Sequence, residues 1–141
     1  MSRLSILFFC VGNSCRSPMA ETIARTLGGD RVDVRSAGLA PAGFIADRTC
    51  TTLATLGYAS AGLFSKDFGQ IVTRDLDVIV SLLGERGFQF LPPGIPGHRE
   101  AWDIRDPFGE DEEVYLQVAR ELETRVRRLL ADRQTPELIL R

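Results

Sequence analysis

The chain has 141 residues, of which 44% are hydrophobic and 26% are charged, and its formal net charge is −2 at pH 7. This length and composition predict one globular domain spanning residues 1–141. The slightly acidic balance argues against nucleic acid as a partner. The first apolar run, Leu4–Phe9, is too short for an export signal or a membrane span. An odd number of cysteines, three, favours reduced thiols in the cytoplasm.

The first part of the chain predicts a strand, a loop and a helix. Leu4–Phe9 is a continuous apolar run with β-forming aromatic side chains, which is typical of a strand buried on both faces. A helix is predicted to begin at Ser17 and Pro18, because a hydroxyl N-cap followed by proline is a common helix start. The glycine pair Gly28 and Gly29 is expected to end this helix.

The rest of the chain alternates between predicted strands and helices. Strands are predicted at Arg31–Ala37, from Asp77 onward and, shorter, within 98–104, and a helix is predicted at 46–56. Strands that alternate with helices indicate an α/β fold, here a four-stranded parallel sheet with helices on both faces. The loop after the first strand would then lie at the carboxyl edge of the sheet, where such folds bind ligands.

The last predicted helix has the clearest pattern. Its apolar face consists of Val114, Val118, Leu122, Val126 and Leu129. Its first turn is acidic, and three arginines are expected in its last turns, as the helix dipole favours: Arg125, Arg127 and Arg128.

The loop from Cys10 to Ser17 leads from the first predicted strand into a helix N-terminus. Such a position offers backbone N–H groups and the positive end of a helix dipole, which suit a tetrahedral dianion. Gly12 is expected to let the backbone turn tightly, and Asn13 tolerates the left-handed conformation. The Gly-Lys-Ser/Thr of a nucleotide-binding loop is missing. The predicted oxyanion-binding loop comprises Val11, Gly12, Asn13, Ser14, Cys15, Arg16 and Ser17.

This loop begins with a thiol and ends with a guanidinium. The N–H groups and Arg16 are expected to stabilise Cys10 as a thiolate nucleophile. The Arg16 fork can bind two oxygens of the anion, and the Ser17 hydroxyl can donate to the sulfur and also cap the helix. Cys50 and His98 are the other Cys and His outside this loop, which argues against a metal site.

The segment CVGNSCRSP resembles the signature of the low-molecular-weight protein tyrosine phosphatases nearly residue for residue. The resemblance covers the chain from Leu4 to about Leu130. It implies a single-domain, flavodoxin-like three-layer sandwich and a phosphomonoesterase that needs no cofactor. The implied substrates are phosphotyrosine or small aryl phosphates, and the loop would also bind phosphate, sulfate, vanadate or arsenate.

Further residues carry the same resemblance. Ser36 of the SAG motif would orient Asn13, as in that family. Asp106, in an Asp-Pro pair, would be the general acid, and Phe108 would form a wall of the substrate pocket. Phe44 would be a second wall, although hydrophobic anchoring of its own loop explains it equally well.

The family has a second branch, the thioredoxin-coupled arsenate reductases, which share the fold and the loop. The SAGLAPAG segment resembles that branch as much as the phosphatases, and the stretch 59–66 lacks the histidine that many phosphatases carry in mid-chain. These reductases use further cysteines after the third strand, but residues 81–93 contain none, and Phe108 replaces their usual small residue. A phosphatase is therefore predicted, with arsenate reduction by a thiol and a catalytically idle oxyanion-binding module as alternatives.

Other residues near these motifs have competing explanations. Cys15 is predicted to capture oxidised Cys10 as a disulfide, and the alternative is a small apolar filler under the loop. Cys50 shares the apolar face of its helix and is expected in the core. Asp103 is the rival acid but lacks the following proline, and His98, beside a Pro/Gly turn, is expected at the surface.

Overall fold

The computed structural model describes residues 3–140 of the chain, and it describes side chains for residues 3–133. In chain order the strands and α-helices are β1 (Leu4–Cys10), α1 (Arg16–Gly28), β2 (Val32–Gly38), α2 (Asp47–Thr55), β3 (Val78–Ser81), β4 (His98–Ala101) and α3 (Glu112–Leu140). Short 3-10 helices lie at Gly29–Arg31, Phe68–Gln70 and Glu85–Phe90.

The four strands form one parallel sheet in the order β2-β1-β3-β4. β1 pairs with β2 on one side and with β3 on the other, and its residues 6–9 are fully buried. A strand covered on both faces and paired on both edges has no exposed side, which explains its continuous apolar sequence. The predicted four-stranded parallel α/β sheet is confirmed.

The helical cover differs between the two faces of the sheet. On one face, Ile6 and Phe8 of β1 pack with buried side chains of all three α-helices. On the other face, Phe9 contacts Phe68 and Phe88 of two 3-10 helices, with ring centroids 5.7 and 5.8 Å apart in edge-on geometry. The α-helices therefore lie on one face, and short helical turns cover the other.

Helix α1 begins two residues earlier than predicted, at Arg16 instead of Pro18, so that Cys15 and not Ser17 occupies the N-cap position, without a side-chain cap. The predicted capping role of Ser17 is wrong, because this residue lies in the first turn with its side chain buried against the loop. The predicted end is confirmed: the helix stops at Gly28, and Gly29 has a positive φ of 56° that glycine adopts without strain.

Helix α3 shows the predicted apolar face but extends further than predicted. Within that face, Val114 is half-buried and the buried members are Val118, Leu122, Val126 and Leu129. Because the helix continues to Leu140, Arg125, Arg127 and Arg128 lie in its middle turns. The predicted interaction of these arginines with the end of the helix dipole is therefore wrong.

Two other residues noted in the sequence differ in their surroundings. His98 is exposed at the start of β4, as predicted. Cys50 is half-buried, so the prediction that it lies in the core is confirmed only in part. The buried residues of α2 are its neighbours Thr49, Thr52 and Leu53. None of the helices within residues 3–140 is both long and apolar enough to cross a membrane.

Candidate active site

The loop between β1 and α1 forms one side of a cavity at the carboxyl edge of the sheet. Cys10 ends β1, opposite Gly38 of β2, and is 2% exposed. The cavity has a volume of about 180 Å³. The loop side is lined by Cys10, Val11, Gly12, Ser14, Cys15 and Arg16, and the remaining lining residues are Ala42, Asp106 and Phe108.

The backbone carbonyl groups at the start of the loop are bonded to the adjacent segment 39–42. N–H groups of the adjacent segment 39–42 donate to the carbonyl oxygens of Cys10, Val11 and Gly12, with N–O distances of 3.0, 2.8 and 2.9 Å. In a trans peptide unit the C=O and N–H bonds point in opposite directions. The N–H groups of the same peptide units therefore point away from segment 39–42, and a loop of this shape can act as an N–H nest for an anion.

The tight turn of the loop depends on Asn13 and Gly38. Among residues 3–140, Asn13 is the one non-glycine residue with positive φ, at 47°, as its residue type allows. The role predicted for Gly12 is wrong, because a Cβ atom there would meet Ala42 at an ordinary 3.6 Å. At Gly38, by contrast, a Cβ atom would lie 2.7 Å from the Val11 carbonyl oxygen, so the loop and the end of β2 require glycine there.

Side chains behind the loop connect it to Cys10. The Asn13 amide donates to Ser17 Oγ at 2.7 Å and to Ser36 Oγ at 3.0 Å. Ser17 Oγ in turn lies 2.9 Å from Cys10 Sγ. The contact between Ser36 and Asn13 that the resemblance implied is therefore present, and Asn13 and Ser17 support the loop from its buried side.

Two charged residues in this network, Lys66 and Glu21, were missed by sequence reasoning. They are 6% and 5% exposed. Lys66 Nζ lies 3.2 Å from Ser36 Oγ, 3.5 Å from Asn13 Oδ1 and 3.6 Å from Glu21 Oε1. Glu21 lies one helical turn after Ser17, and a carboxylate on this buried face was a signal that a buried partner existed. Lys66 belongs to the stretch 59–66, where the expected histidine was missing.

The Arg16 guanidinium forms part of the cavity wall. Arg16 is 8% exposed, and its Nη1 donates to the carbonyl oxygen of Ile104 at 3.1 Å and to that of Leu82 at 3.5 Å. Its Nη2 lies 3.7 Å from Asp106 Oδ2. Backbone carbonyls that follow β3 and β4 thus fix the plane of the guanidinium.

Asp106 lies at the mouth of the same cavity. Its side chain is 57% exposed, and its Oδ1 accepts a hydrogen bond from the Phe108 backbone N–H at 3.1 Å. The structure thus brings Asp106 to the loop of Cys10, although the two residues are far apart in sequence. Asp103, the rival acid, is exposed and is not among the residues that line the cavity.

Two phenylalanine rings form the outer edge of the site. Phe108 lines the cavity, and its ring centroid lies 6.2 Å from that of Phe44. Both side chains are exposed, by 56% and 51% respectively. The structure does not place Phe44 among the residues that line the cavity, although its ring lies next to that of Phe108.

Cys15 lines the cavity together with Cys10, and its thiol is also hydrogen-bonded to a buried tyrosine. Its Sγ lies 3.4 Å from the hydroxyl of Tyr115, and both residues are buried. Burial raises the pKa of the Cys15 thiol, and the hydrogen bond from Tyr115 opposes this only in part. Cys15 is therefore a neutral thiol at neutral pH.

The thiols and the carboxylates of the part of the chain described with side chains form neither a disulfide nor a metal cluster. All three cysteines are free thiols. Within the described residues, no three or more His, Cys, Asp or Glu side chains are placed to hold a metal ion. The groups facing the cavity are two thiols, a guanidinium, a carboxylate and an aromatic ring.

A cavity lined by a thiol, an arginine and an aspartate agrees with a comparison of the whole sequence. Residues 5–137 match the family described as low molecular weight phosphotyrosine protein phosphatase. The chain belongs to this family. The resemblance inferred from the CVGNSCRSP segment is thereby confirmed.

The proteins that resemble this chain are named either arsenate reductases or tyrosine phosphatases. A Synechocystis protein named glutaredoxin arsenate reductase is 32% identical over 127 residues, which cover 89% of this chain and 95% of that protein. A structure of an arsenate reductase in the reduced state has 32% identity and a TM-score of 0.79, covering 92% of this chain and 98% of the other. A low molecular weight protein tyrosine phosphatase from T. tengcongensis has a TM-score of 0.81 at 23% identity, covering 92% and 99%, and supports the fold alone.

Proposed function

We propose that this family member is a phosphomonoesterase that hydrolyses aryl phosphates, including phosphotyrosine, through a phosphocysteine on Cys10. The observation that carries the proposal is that Asp106 and Phe108 line the same cavity as Cys10. A carboxylic acid at the mouth can protonate a phenolate leaving group, and an exposed ring beside it can pack against that phenol. Arsenate offers neither an aryl ring nor a phenolate.

In the first step, the Cys10 thiolate attacks phosphorus in line with the ester oxygen. The S–P bond forms while the P–O bond to the aryl group breaks, and Asp106 donates its proton to the departing oxygen. The N–H nest and Arg16 stabilise the negative charge on the equatorial oxygens.

In the second step, Asp106 acts as a carboxylate base. It takes a proton from a water molecule, whose oxygen attacks phosphorus and displaces Cys10. The S–P bond breaks, phosphate leaves, and the thiolate and the protonated Asp106 are regenerated. One acid–base residue is sufficient for both steps because it ends each cycle in its starting form.

Arsenate reduction is the second candidate function, and the names of the relatives favour it. In that reaction Cys10 would bind arsenic, a second thiol would attack the Cys10 sulfur, and arsenite would leave with the electron pair of the broken S–As bond. The reducing thiol has to be Cys15, Cys50 or an external thiol, because residues 81–93 contain no cysteine. Cys15 is buried and neutral, which makes it a slow nucleophile.

A parallel assay separates the two functions. Purified protein is given an aryl phosphate in one reaction, and in the other it is given arsenate with thioredoxin, glutaredoxin or glutathione as reductant. We expect phosphate release that is abolished in Cys10→Ser, and negligible arsenite. Arsenite formation that is faster than aryl phosphate hydrolysis would reject the phosphatase proposal and favour the reductase.

The redox role of Cys15 also belongs to the proposal. Peroxide would oxidise the Cys10 thiolate to a sulfenic acid, and attack by Cys15 would form a disulfide with loss of water. The shared cavity supports this pairing, whereas the burial of Cys15 and its bond to Tyr115 would slow the second step.

A further inference from the structure

A buried ion pair, Glu21 and Lys66, lies behind the nucleophile loop and does not line the cavity. Removing two charges from water costs free energy that a buried pair recovers only in part, so such a pair is weak support for stability alone. The hydrogen bonds of these two residues indicate that the pair also orients the side chains next to it, Asn13 and Ser36.

The first consequence concerns the orientation of the Asn13 amide. Asn13 Oδ1 receives the Lys66 backbone N–H at 3.0 Å and approaches Lys66 Nζ at 3.5 Å. A lysine ammonium and a backbone N–H are donors only, so the oxygen of the amide has to face them. The Asn13 NH₂ group is thereby turned to the opposite side, towards Ser17 and Ser36.

The second consequence concerns the proton of the Ser17 hydroxyl. A serine hydroxyl carries one proton, and Ser17 Oγ already accepts a hydrogen bond from Asn13 at 2.7 Å. A thiolate at Cys10 has no proton to give, so in that form it accepts the Ser17 proton across the 2.9 Å contact. The sulfur is therefore the acceptor, which favours the thiolate over the thiol.

The third consequence concerns Ser36 and Glu21. Ser36 Oγ accepts hydrogen bonds from Asn13 at 3.0 Å and from Lys66 Nζ at 3.2 Å, so both of its lone pairs are used. Its proton is donated to Glu21 Oε1, which has to act as a carboxylate. Arg25 binds the other oxygen of Glu21 from the exposed side.

We propose that Lys66, held by Glu21, is a positioning residue that sets the direction of every hydrogen bond from Ser36 to Cys10. The backbone N–H of residue 66 holds the Asn13 oxygen in any variant, and the Lys66 ammonium adds a second group that can only donate. A side chain that cannot donate, or that can also accept, would weaken this preference, and in a reversed amide Ser17 would lose the donor provided by Asn13. The inference rests on the proposed role of Cys10 as nucleophile. It is independent of whether the substrate is an aryl phosphate or arsenate.

The test measures alkylation of Cys10 by iodoacetamide from pH 5 to 8, located by peptide mass spectrometry. Lys66→Met keeps the length of the side chain and removes the ammonium. We expect alkylation of Cys10 at pH 6 to slow by about tenfold and the pH profile to move to higher pH, because a hydrogen bond to a charged sulfur is weakened. Arg25→Met, which removes the other cation on Glu21 without touching Asn13, is the matched control and should alkylate like the wild type.

A double-mutant cycle shows whether Lys66 acts through Ser17. In the Ser17→Ala background, Lys66→Met should change the alkylation rate by less than about twofold, because the chain to the sulfur is already broken. Alkylation of Lys66→Met within twofold of wild type, or a full tenfold effect in the Ser17→Ala background, would overturn the inference. If Lys66→Met does not fold, Lys66→Gln replaces it in the same cycle, since glutamine offers both a donor and an acceptor to Asn13.

This readout is separate from the proposed activity. Alkylation reports the state of Cys10 even in a protein that hydrolyses no aryl phosphate. An active wild type whose alkylation is insensitive to Lys66→Met would refute the role of Lys66 alone. Slow wild-type alkylation that resembles that of an ordinary thiol would refute the nucleophile itself.

Discussion

Cys10 and Arg16, from the two ends of one loop, meet Asp106 from a distant part of the chain in one cavity, and each of the three is held by a different kind of contact. Cys10 ends the central strand, and Arg16 is fixed by two backbone carbonyls. Asp106 is contacted by the Phe108 N–H and by Arg16 at 3.7 Å, and is largely exposed. A carboxyl group that is accessible to solvent can exchange protons with water between catalytic cycles.

Replacing the proposed general acid should affect substrates according to their leaving groups. We expect Asp106→Asn to lower kcat for phosphotyrosine by about 10²- to 10⁴-fold, since asparagine cannot donate the proton. The loss should be much smaller for p-nitrophenyl phosphate, whose leaving group needs little protonation. Steady-state kinetics with both substrates measures the difference.

Asp103→Asn is the matched control for this prediction, because Asp103 is an exposed carboxylate close in sequence that does not line the cavity. Its kinetics should equal those of the wild type. Equal losses for both leaving groups in Asp106→Asn, or a larger loss in Asp103→Asn, would show that Asp106 is not the acid.

At the scale of elements, α2 links the loop to α3. Thr49 of α2 donates to the Ser14 carbonyl oxygen at 2.8 Å, and Tyr58, shortly after α2, donates to the Glu123 carboxylate on α3. Burial, followed by Glu123, raises the pKa of Tyr58 from 10.0 to about 12. The link between these elements therefore depends on a phenol that must stay protonated.

This link predicts a loss of stability at alkaline pH. In the unfolded chain Tyr58 titrates near pH 10.0 and in the native protein near pH 12. Between these values the unfolded state binds fewer protons, so the free energy of unfolding falls as the pH rises. We expect Tyr58→Phe to be about 1 kcal/mol less stable than wild type at pH 8, with this difference vanishing or reversing by pH 12.

Urea denaturation of the two proteins at pH 8, 10 and 12 measures this difference. Tyr115, whose pKa is also raised, is present in both proteins and cancels in the comparison. A difference in stability that stays constant over this pH range would show that Tyr58 does not lose its bond to Glu123 on ionisation.

Elements whose signals are local were predictable from the sequence. The apolar run of β1, the glycine stop after α1 and the buried face of α3 each depend on neighbouring residues or on a single period. The predicted start of α1 was wrong because serine is a preferred N-cap residue, whereas the Ser17 hydroxyl contacts Cys10 instead. At this position the contact with Cys10 outweighs the preference of serine for the N-cap.

The candidate site was predictable as far as its motif extended. Cys10, Arg16 and Asp106 were found because they belong to short sequence patterns, and the structure brings them to one cavity. Lys66 was not found, because it is 53 positions from Asn13 and 30 positions from Ser36. A lysine in a loop gives no sign of burial until the fold encloses it.

At the scale of the whole molecule, binding of an anion to the loop should raise the free energy of unfolding of the protein. A ligand that binds only the native state adds about 2.7 kcal/mol at 100 times its Kd. Phosphate should therefore raise the Tm relative to chloride at equal ionic strength, and sulfate, vanadate and arsenate should do so too. An arsenate reductase 30% identical to this chain has been solved in a phosphate binding state, which supports the expectation.

Thermal denaturation of wild type, Cys10→Ser and Arg16→Met measures this effect. Cys10→Ser keeps the nest and should retain the rise in Tm, whereas Arg16→Met should lose most of it. Equal Tm values in phosphate and in chloride for the wild type would argue against an oxyanion site.

The division between a buried frame and an exposed mouth has a consequence for how such a site can be altered. Ser36, Gly38 and Lys66 hold the loop from behind, whereas Phe44 and Phe108 lie outside it and are largely exposed. A substitution of either exposed ring leaves every contact behind the Cys10 sulfur in place, whereas a substitution of a buried residue behind the loop disturbs the position of the sulfur itself. The entrance of such a cavity can therefore be redesigned for another oxyanion while the thiol stays where it is.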